Sequence, residues 1–149
     1  MHIFTDSSVN VKYNKAIGCY LVLDDLQMKE MEITVNYNDI CYLDLNSNSS
    51  TLAELETIKY ILSKYCTDNN IYLYTDCSNI INLYNKRTYS KSHKHAELYK
   101  ILLDYINNNN INIIKVKGHS KKSDRLTIEE VIFSVVDKAA RKRLRSTIK

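Results

Sequence analysis

Four carboxylates in this 149-residue chain stand where they could share a cation. Asp6 ends the strand-like run His2-Ile3-Phe4-Thr5-Asp6, and Asp76 ends Ile71-Tyr72-Leu73-Tyr74-Thr75-Asp76. Glu54 opens a helical stretch, Thr51-Leu52-Ala53-Glu54-Leu55-Glu56, and Asp137 sits in the last one, Val135-Val136-Asp137-Lys138-Ala139-Ala140-Arg141. Carboxylate oxygens are the ligands that Mg²⁺ prefers, and it keeps some of its water. Two such ions roughly 4 Å apart can hold both the attacking and the leaving oxygen of a phosphodiester. No zinc site competes, because Cys19, Cys41, Cys66 and Cys77 lack metal-site spacing. His93-x-His95 is a lone pair in a Ser/Lys-rich stretch and reads as solvated.

Each acid also has an ordinary explanation. Asp6 could bond the backbone of a turn at Ser7-Ser8, although its apolar neighbours make that strand a costly place for an unpaired charge. Thr51-x-x-Glu54 has the form of a capping box. At about 100° per residue, however, Glu54 falls on the flank of the Leu55-Ile58-Leu62 stripe while Glu56 points away. Asp76 could cap a helix beginning at Cys77, or stand at the carboxyl end of a central strand, where open α/β sheets gather ligands. Asp137 could pair with Arg141 one turn on. The four converge only if one site collects them.

The elements that would position them follow from periodicity. Residues 2–9, 16–25 and 28–35 read as an antiparallel meander, and the Asn- and Asp-rich 36–48 as a long loop. A helix at about 51–66 carries Leu52, Leu55, Ile58, Leu62 and Tyr65 on one stripe. Strand 71–76, a short helix at 77–85 and a helix at 95–107 come next. Strand 111–117 and a helix at 128–145, started by the capping box Thr127-x-x-Glu130, complete the chain. Three strands followed by α-β-α-α-β-α make a mixed sheet with helices packed on it. Gly18 inside its strand predicts a close backbone approach or a bulge.

Strand Asp, helix Glu, strand Asp, a histidine in Lys115-Val116-Lys117-Gly118-His119-Ser120, and helix Asp, in that order, resemble a type 1 ribonuclease H over about residues 2–145. The resemblance implies an α/β fold with a five-stranded mixed sheet, three antiparallel strands then two parallel, and helices on both faces. It implies a metal-dependent endonuclease that hydrolyses the RNA strand of an RNA–DNA hybrid, leaving 5′-phosphate and 3′-hydroxyl ends. Asp6, Glu54, Asp76 and Asp137 would hold two Mg²⁺ ions, with Mn²⁺ an acceptable substitute, and His119 would move a proton to the leaving group. Ser7, Ser8, Ser50, Thr51 and Ser78 would contact the nucleic acid. Departures exist: Asp6-Ser7-Ser8 stands where relatives have Asp-Gly-Ser, and 17 residues separate His119 from Asp137, which makes Asp124 a rival fourth ligand. The basic protrusion common after the third carboxylate is reduced to Tyr84-Asn85-Lys86-Arg87-Thr88-Tyr89. Holliday-junction resolvases share the fold family, and a non-catalytic nucleic-acid-binding module is the alternative outside enzymes.

Composition sets the outer bounds. The length predicts one domain spanning 1–149, and 44% apolar with 26% charged residues is ordinary for a globular protein. No apolar run approaches the roughly 18 residues of a membrane span. Unpaired cysteines point to an intracellular location, read as cytoplasmic with nucleus and organelles left open, and a monomer is expected. Charge is split: residues 1–85 carry 5 basic and 11 acidic groups, and residues 86–149 carry 16 and 6. A basic second half suits a polyanion, here the hybrid, since Lys and Arg that neutralise phosphates release counterions. Lys86, Arg87, Lys117, Lys121, Lys122 and Arg125 are the candidates for phosphate contact, with Arg141 to Arg145 behind them.

Overall fold

The computed structural model describes residues 1–30, 37–67, 70–117 and 127–148. Strands β1 (His2–Asn10) and β2 (Lys15–Leu23) form a hairpin, followed by a one-turn helix α1 (Asp25–Lys29), a 3₁₀ turn (Tyr37–Asp39) and strand β3 (Cys41–Leu45). Helix α2 (Ser50–Tyr65), strand β4 (Ile71–Thr75), helices α3 (Ser78–Lys86) and α4 (Ala96–Asn108), strand β5 (Ile111–Lys115) and helix α5 (Ile128–Thr147) complete the order. The sheet runs β3-β2-β1-β4-β5. β1/β2 and β2/β3 are antiparallel, while β1/β4 and β4/β5 are parallel. This is the five-stranded mixed sheet expected. Among the described residues no helix is long and apolar enough to cross a membrane.

Strand alternation splits the core in two. Ile3, Tyr20 and Leu73 point to one face, where Leu55, Ile58 and Leu62 of α2 and Leu98 and Leu102 of α4 cover them. Phe4, Cys19, Leu21 and Tyr74 point to the other, against Ile132, Phe133 and Val136 of α5. β1 and β4 are therefore buried on both sides, which explains their nearly unbroken apolar runs. Helices lie on both faces.

One strand expectation was misplaced. Residues 28 and 29 of the expected strand 28–35 are helical, and the third strand among the described residues is Cys41–Leu45, inside the stretch read as a loop. Asp24 starts a helix instead: its side chain accepts from the Gln27 backbone at 2.7 Å, and the Gln27 side chain accepts from the Asp24 backbone at 2.8 Å. That reciprocal cap ends β2 at Leu23, two residues short of the expected 25, and turns 25–29 helical. Residues 31–35 of the expected strand lie outside the described residues. β3 is a sheet edge and half exposed, so its apolar pattern is weak and its Asn- and Asp-rich flanks conceal it.

The close approach predicted at Gly18 is real. A Cβ there would sit 2.0 Å from Thr57 Oγ1 of α2, and that hydroxyl donates to the Ala53 carbonyl at 2.7 Å. Thr57 is fully buried and held by that bond, with little room to yield. Gly18→Ala is expected to destabilise the protein by about 1–3 kcal/mol through overpacking. In urea unfolding, adding Thr57→Ala to Gly18→Ala should recover much of that loss. Additive losses in the double variant would show that the contact is not what limits α2.

Candidate active site

Pairing register brings two of the acids to one level. β1 and β4 run parallel with Phe4 beside Tyr74, so two residues further along Asp6 and Asp76 are abreast. Asp6 follows Phe4 by one full strand period and faces α5 as Phe4 does. Asp76 leaves the sheet between Thr75, whose hydroxyl accepts from the Cys77 backbone at 3.1 Å, and the start of α3. Cys77 is the N-cap of α3 with no side-chain capping bond, so the helix starts one residue later than the cap proposed for Asp76 would need.

Glu54 is freed by a cap that the sequence reading missed. The N-cap of α2 is Ser49, whose hydroxyl accepts from the Leu52 backbone at 3.2 Å. Thr51 lies inside the helix, so the Thr51–Glu54 capping box does not form. Ser47 extends the arrangement by accepting from the Ser49 backbone at 3.1 Å. With the first turn served by serines, Glu54 projects from the flank of the buried stripe toward the sheet. Ligand oxygens of Asp6, Glu54 and Asp76 lie within 4.8 Å of one another.

The fourth acid arrives from the opposite face. Cys19, the direct β2 partner of Asp6, donates its thiol to the Val136 carbonyl at 3.2 Å and pins α5 at the residue before Asp137. Asp137 lies against Asp6, and its Oδ2 accepts from Arg141 at 2.6 Å, so the expected i,i+4 pair and the site coexist. Thr127 caps α5 and starts it where expected, accepting from the Glu130 backbone at 3.2 Å. The Glu130 carboxylate accepts from the Thr127 hydroxyl at 3.2 Å, so only half of the expected capping box forms.

Burial and mutual repulsion leave this cluster short of positive charge. Burial, then Asp137 and Asp76, push the Asp6 carboxyl far above the usual carboxylate range. Glu54 is pushed up to about 7, by burial first and then by Asp76. Burial, and then Glu54, pushes the Cys77 thiol up to about 12, so Cys77 borders the site as a neutral thiol. A set of oxygen donors that cannot all ionise unaided fits a hard divalent cation, and it offers no soft anion to a zinc-like one. Asp6, Glu54 and Asp76 could hold such an ion directly, and Asp137 is near enough to Asp6 to share in it.

The remaining expected contacts scatter around this point. Ser50 and Ser78 are exposed first residues of α2 and α3, Thr51 is half-buried beside Ser50, and Ser8 is half-buried in β1. Ser7 faces α2 with Gly18, and its hydroxyl is buried without a hydrogen-bond partner. Lys86 and Lys117 are exposed. Arg87 is committed to structure: in left-handed backbone with φ 59, it donates from Nη1 to Asn107 at 2.8 Å and stacks on Tyr84. Of the histidine pair read as solvated, His93 is exposed, but His95 at the start of α4 has a buried Nε2. His119, Lys121, Lys122, Asp124 and Arg125 lie outside the described residues. Cys77 was not anticipated beside Glu54, and its position directly after Asp76 was the available signal.

Among curated proteins no sequence relative is found. Solved structures do match. Prototype foamy virus protease–reverse transcriptase superposes with a TM-score of 0.66 at 18% identity, over 95% of this chain and 20% of that one. The chain thus spans about a fifth of that viral protein. LC11-RNase H1, isolated from compost by a metagenomic approach, gives 0.64 at 12% identity, over 96% of both chains. The same protein in complex with an RNA/DNA hybrid gives 0.62 at 12% identity, over 96% of this chain and 98% of that one. At such low identity these superpositions show the shared fold alone. The RNase H family model matches residues 1–143, nearly end to end and through all four carboxylates, and the chain therefore belongs to the RNase H family, a ribonuclease H by enzyme class.

Proposed function

We propose that the chain is a metal-dependent endonuclease that cuts the RNA strand of RNA–DNA hybrids into products with 5′-phosphate and 3′-hydroxyl ends. The observation that carries this reading is the group of three carboxylates within 4.8 Å of one another just past the end of the parallel β1/β4 pairing, with Asp137 set against Asp6. A hybrid-bound structure of a protein sharing the fold, LC11-RNase H1, supports the choice of substrate. Two bound Mg²⁺ ions, or Mn²⁺ in their place, would activate water for in-line attack and stabilise the leaving 3′ oxygen.

The chain's own residues do the holding. Asp6 and Asp76, abreast on neighbouring strands, would ligate both ions, while Glu54 and Asp137 complete one each from opposite faces of the sheet. Glu54 at the exposed end of α2 would also accept from a 2′-hydroxyl, the group that separates RNA from DNA. His119 would deliver the proton to the leaving oxygen. Ser50, Thr51 and Ser78, at the amino ends of α2 and α3, offer hydroxyls and helix-dipole charge to the backbone of the duplex. We place the enzyme as a monomer in a reducing, intracellular compartment, which suits four free cysteines of which three are buried.

Asp6→Asn, Glu54→Gln, Asp76→Asn and Asp137→Asn should each reduce Mg²⁺-dependent cleavage of a hybrid by orders of magnitude while leaving circular dichroism unchanged. Near-full activity in Asp137→Asn together with loss in Asp124→Asn would transfer the fourth ligand to Asp124. Equal cutting of a four-way DNA junction and a hybrid would move the enzyme to the resolvase reading.

His119→Ala should slow turnover by about 10²–10⁴-fold without abolishing it, because the ions still supply the nucleophile. Loss as complete as in Asp6→Asn would end the proton-shuttle role.

Stability should also report the site. Asp6 and Glu54 have pKa values raised by folding, so the metal-free folded state holds protons that the unfolded chain releases. For Glu54 the favourable contribution is complete below its ordinary 4.5 and is lost as pH rises through about 7. Without metal, thermal stability should therefore fall across that window, and less steeply in Glu54→Gln. Mg²⁺ should raise the melting temperature at about pH 8 and much less at about pH 5, where protons compete with it. Equal Mg²⁺ stabilisation at both pH values would place the ion away from these acids.

A further inference from the structure

The hairpin between β1 and β2 extends well beyond the acids. β1 pairs with β4 only from His2 to Phe4, which puts Asp76 level with Asp6, yet β1 stays paired with β2 from His2 to Asn10. Four residues of β1, Ser7 to Asn10, therefore continue past the carboxylates, about 13 Å at 3.2–3.4 Å per residue. Beside this extension β3 flanks β2 from Ala16 to Tyr20, whereas the β4 side has already ended. The sheet edge is thus a step, with the carboxylates at its foot and the hairpin as its wall.

The tip of that wall is rigid and carries side chains of a particular kind. Asn10 Oδ1 accepts from the Tyr13 backbone at 3.1 Å, the Val11 carbonyl accepts from Asn14 at 3.3 Å, and Asn14 takes a left-handed φ of 52. Tyr13 is 51% exposed and Val11 68%, and the Lys12 ammonium lies 5.6 Å from the Tyr13 ring centroid. Lys15, the first residue of β2, is exposed as well. In the first 85 residues, which hold only five cations, two of them flank this one aromatic ring. An exposed tyrosine between two exposed lysines matches a backbone of alternating sugars and phosphates, with the ring against sugar and the cations against phosphate.

We propose that Lys12, Tyr13 and Lys15 form a second substrate contact, which grips the sugar–phosphate backbone of the duplex about four base pairs from the cut. This rests on the hybrid-cleaving reading above and adds a reach to it. With the duplex laid along the hairpin, as the proposal has it, thirteen ångströms of overhang correspond to about four pairs at the roughly 3.4 Å rise of a duplex strand. The lysines would neutralise phosphates, and Tyr13 would lie against the sugars between them. The contact holds the duplex against the step without touching the reacting atoms, so it acts on binding and not on the chemical step.

The test uses a DNA duplex with a short ribonucleotide block in one strand, which fixes the cutting point, and the variant Lys12→Ala/Tyr13→Ala/Lys15→Ala. On a duplex with long flanks the variant should raise KM about tenfold with kcat unchanged, and the slope of log affinity against log salt should fall by about two. Trimming one flank to about two pairs, short of the four-pair reach, should cost the wild type a similar factor and the variant nothing further. Lys12→Glu alone repeats the salt measurement with one exposed side chain changed, should the triple variant loosen the turn. An unchanged salt slope, or a variant deficit equal on long and trimmed duplexes, overturns the proposal. Binding of the same duplex by fluorescence anisotropy in EDTA keeps the two readings separate. A wild type that cuts no hybrid overturns the proposed function, while the anisotropy salt slope still decides the hairpin.

Discussion

Like-charge repulsion among carboxylates held at the end of the sheet is the constraint that the rest of the structure works around. Two ionised groups 4.8 Å apart repel by about 3–4 kcal/mol at an effective dielectric of 20. Asp6, Glu54 and Asp76 form three such pairs, and Asp137 adds to the charge at Asp6. A domain's net stability is only about 5–15 kcal/mol. Full ionisation of the cluster would consume much of it, so in the absence of metal Asp6 and Glu54 hold their protons to higher pH than ordinary carboxylates. A divalent cation removes the conflict at once. The same feature that makes the site unfavourable for the folded chain alone makes it receptive to metal.

Holding the acids together requires rigid elements on every side. α2 can bring Glu54 down to the sheet because Gly18 leaves no Cβ in the way of Thr57. α5 can bring Asp137 to Asp6 because its Ile132, Phe133 and Val136 fill the opposite face and the Cys19 thiol bonds the Val136 carbonyl. Arg141 donates to one oxygen of Asp137, whose carboxylate also lies against Asp6. β1 and β4, buried on both faces, set the spacing of Asp6 and Asp76. Each of these contacts is fixed by packing, so the charge cluster is preorganised and does not have to be assembled by the ligand.

The sequence made the long, doubly buried elements and the order of the acids legible. β1, β4, α2, α4 and α5 all carry strong periodicity, and their acids sit at their ends or flanks. What escaped was governed by local polar chemistry. The Asp24–Gln27 cap makes 25–29 helical where the third strand was expected to begin, while the described strand β3 is a half-exposed edge with weak alternation. The cap of α2 was assigned to Thr51 although Ser49 holds it, since two hydroxyl residues precede Thr51 and nothing in composition ranks them. Arg87 reads as a free cation until its bond to Asn107, twenty positions away, is seen. Register, too, is invisible to composition, and it alone reveals that the β1–β2 hairpin overhangs the site.

Anomalous diffraction from crystals grown with Mn²⁺ decides whether the four carboxylates are ligands of divalent metal in a single site. Manganese peaks are expected bounded by Asp6, Glu54 and Asp76, with Asp137 on the side of Asp6. Manganese found elsewhere on the protein, with the four acids left to hydrogen-bond one another, would contradict it.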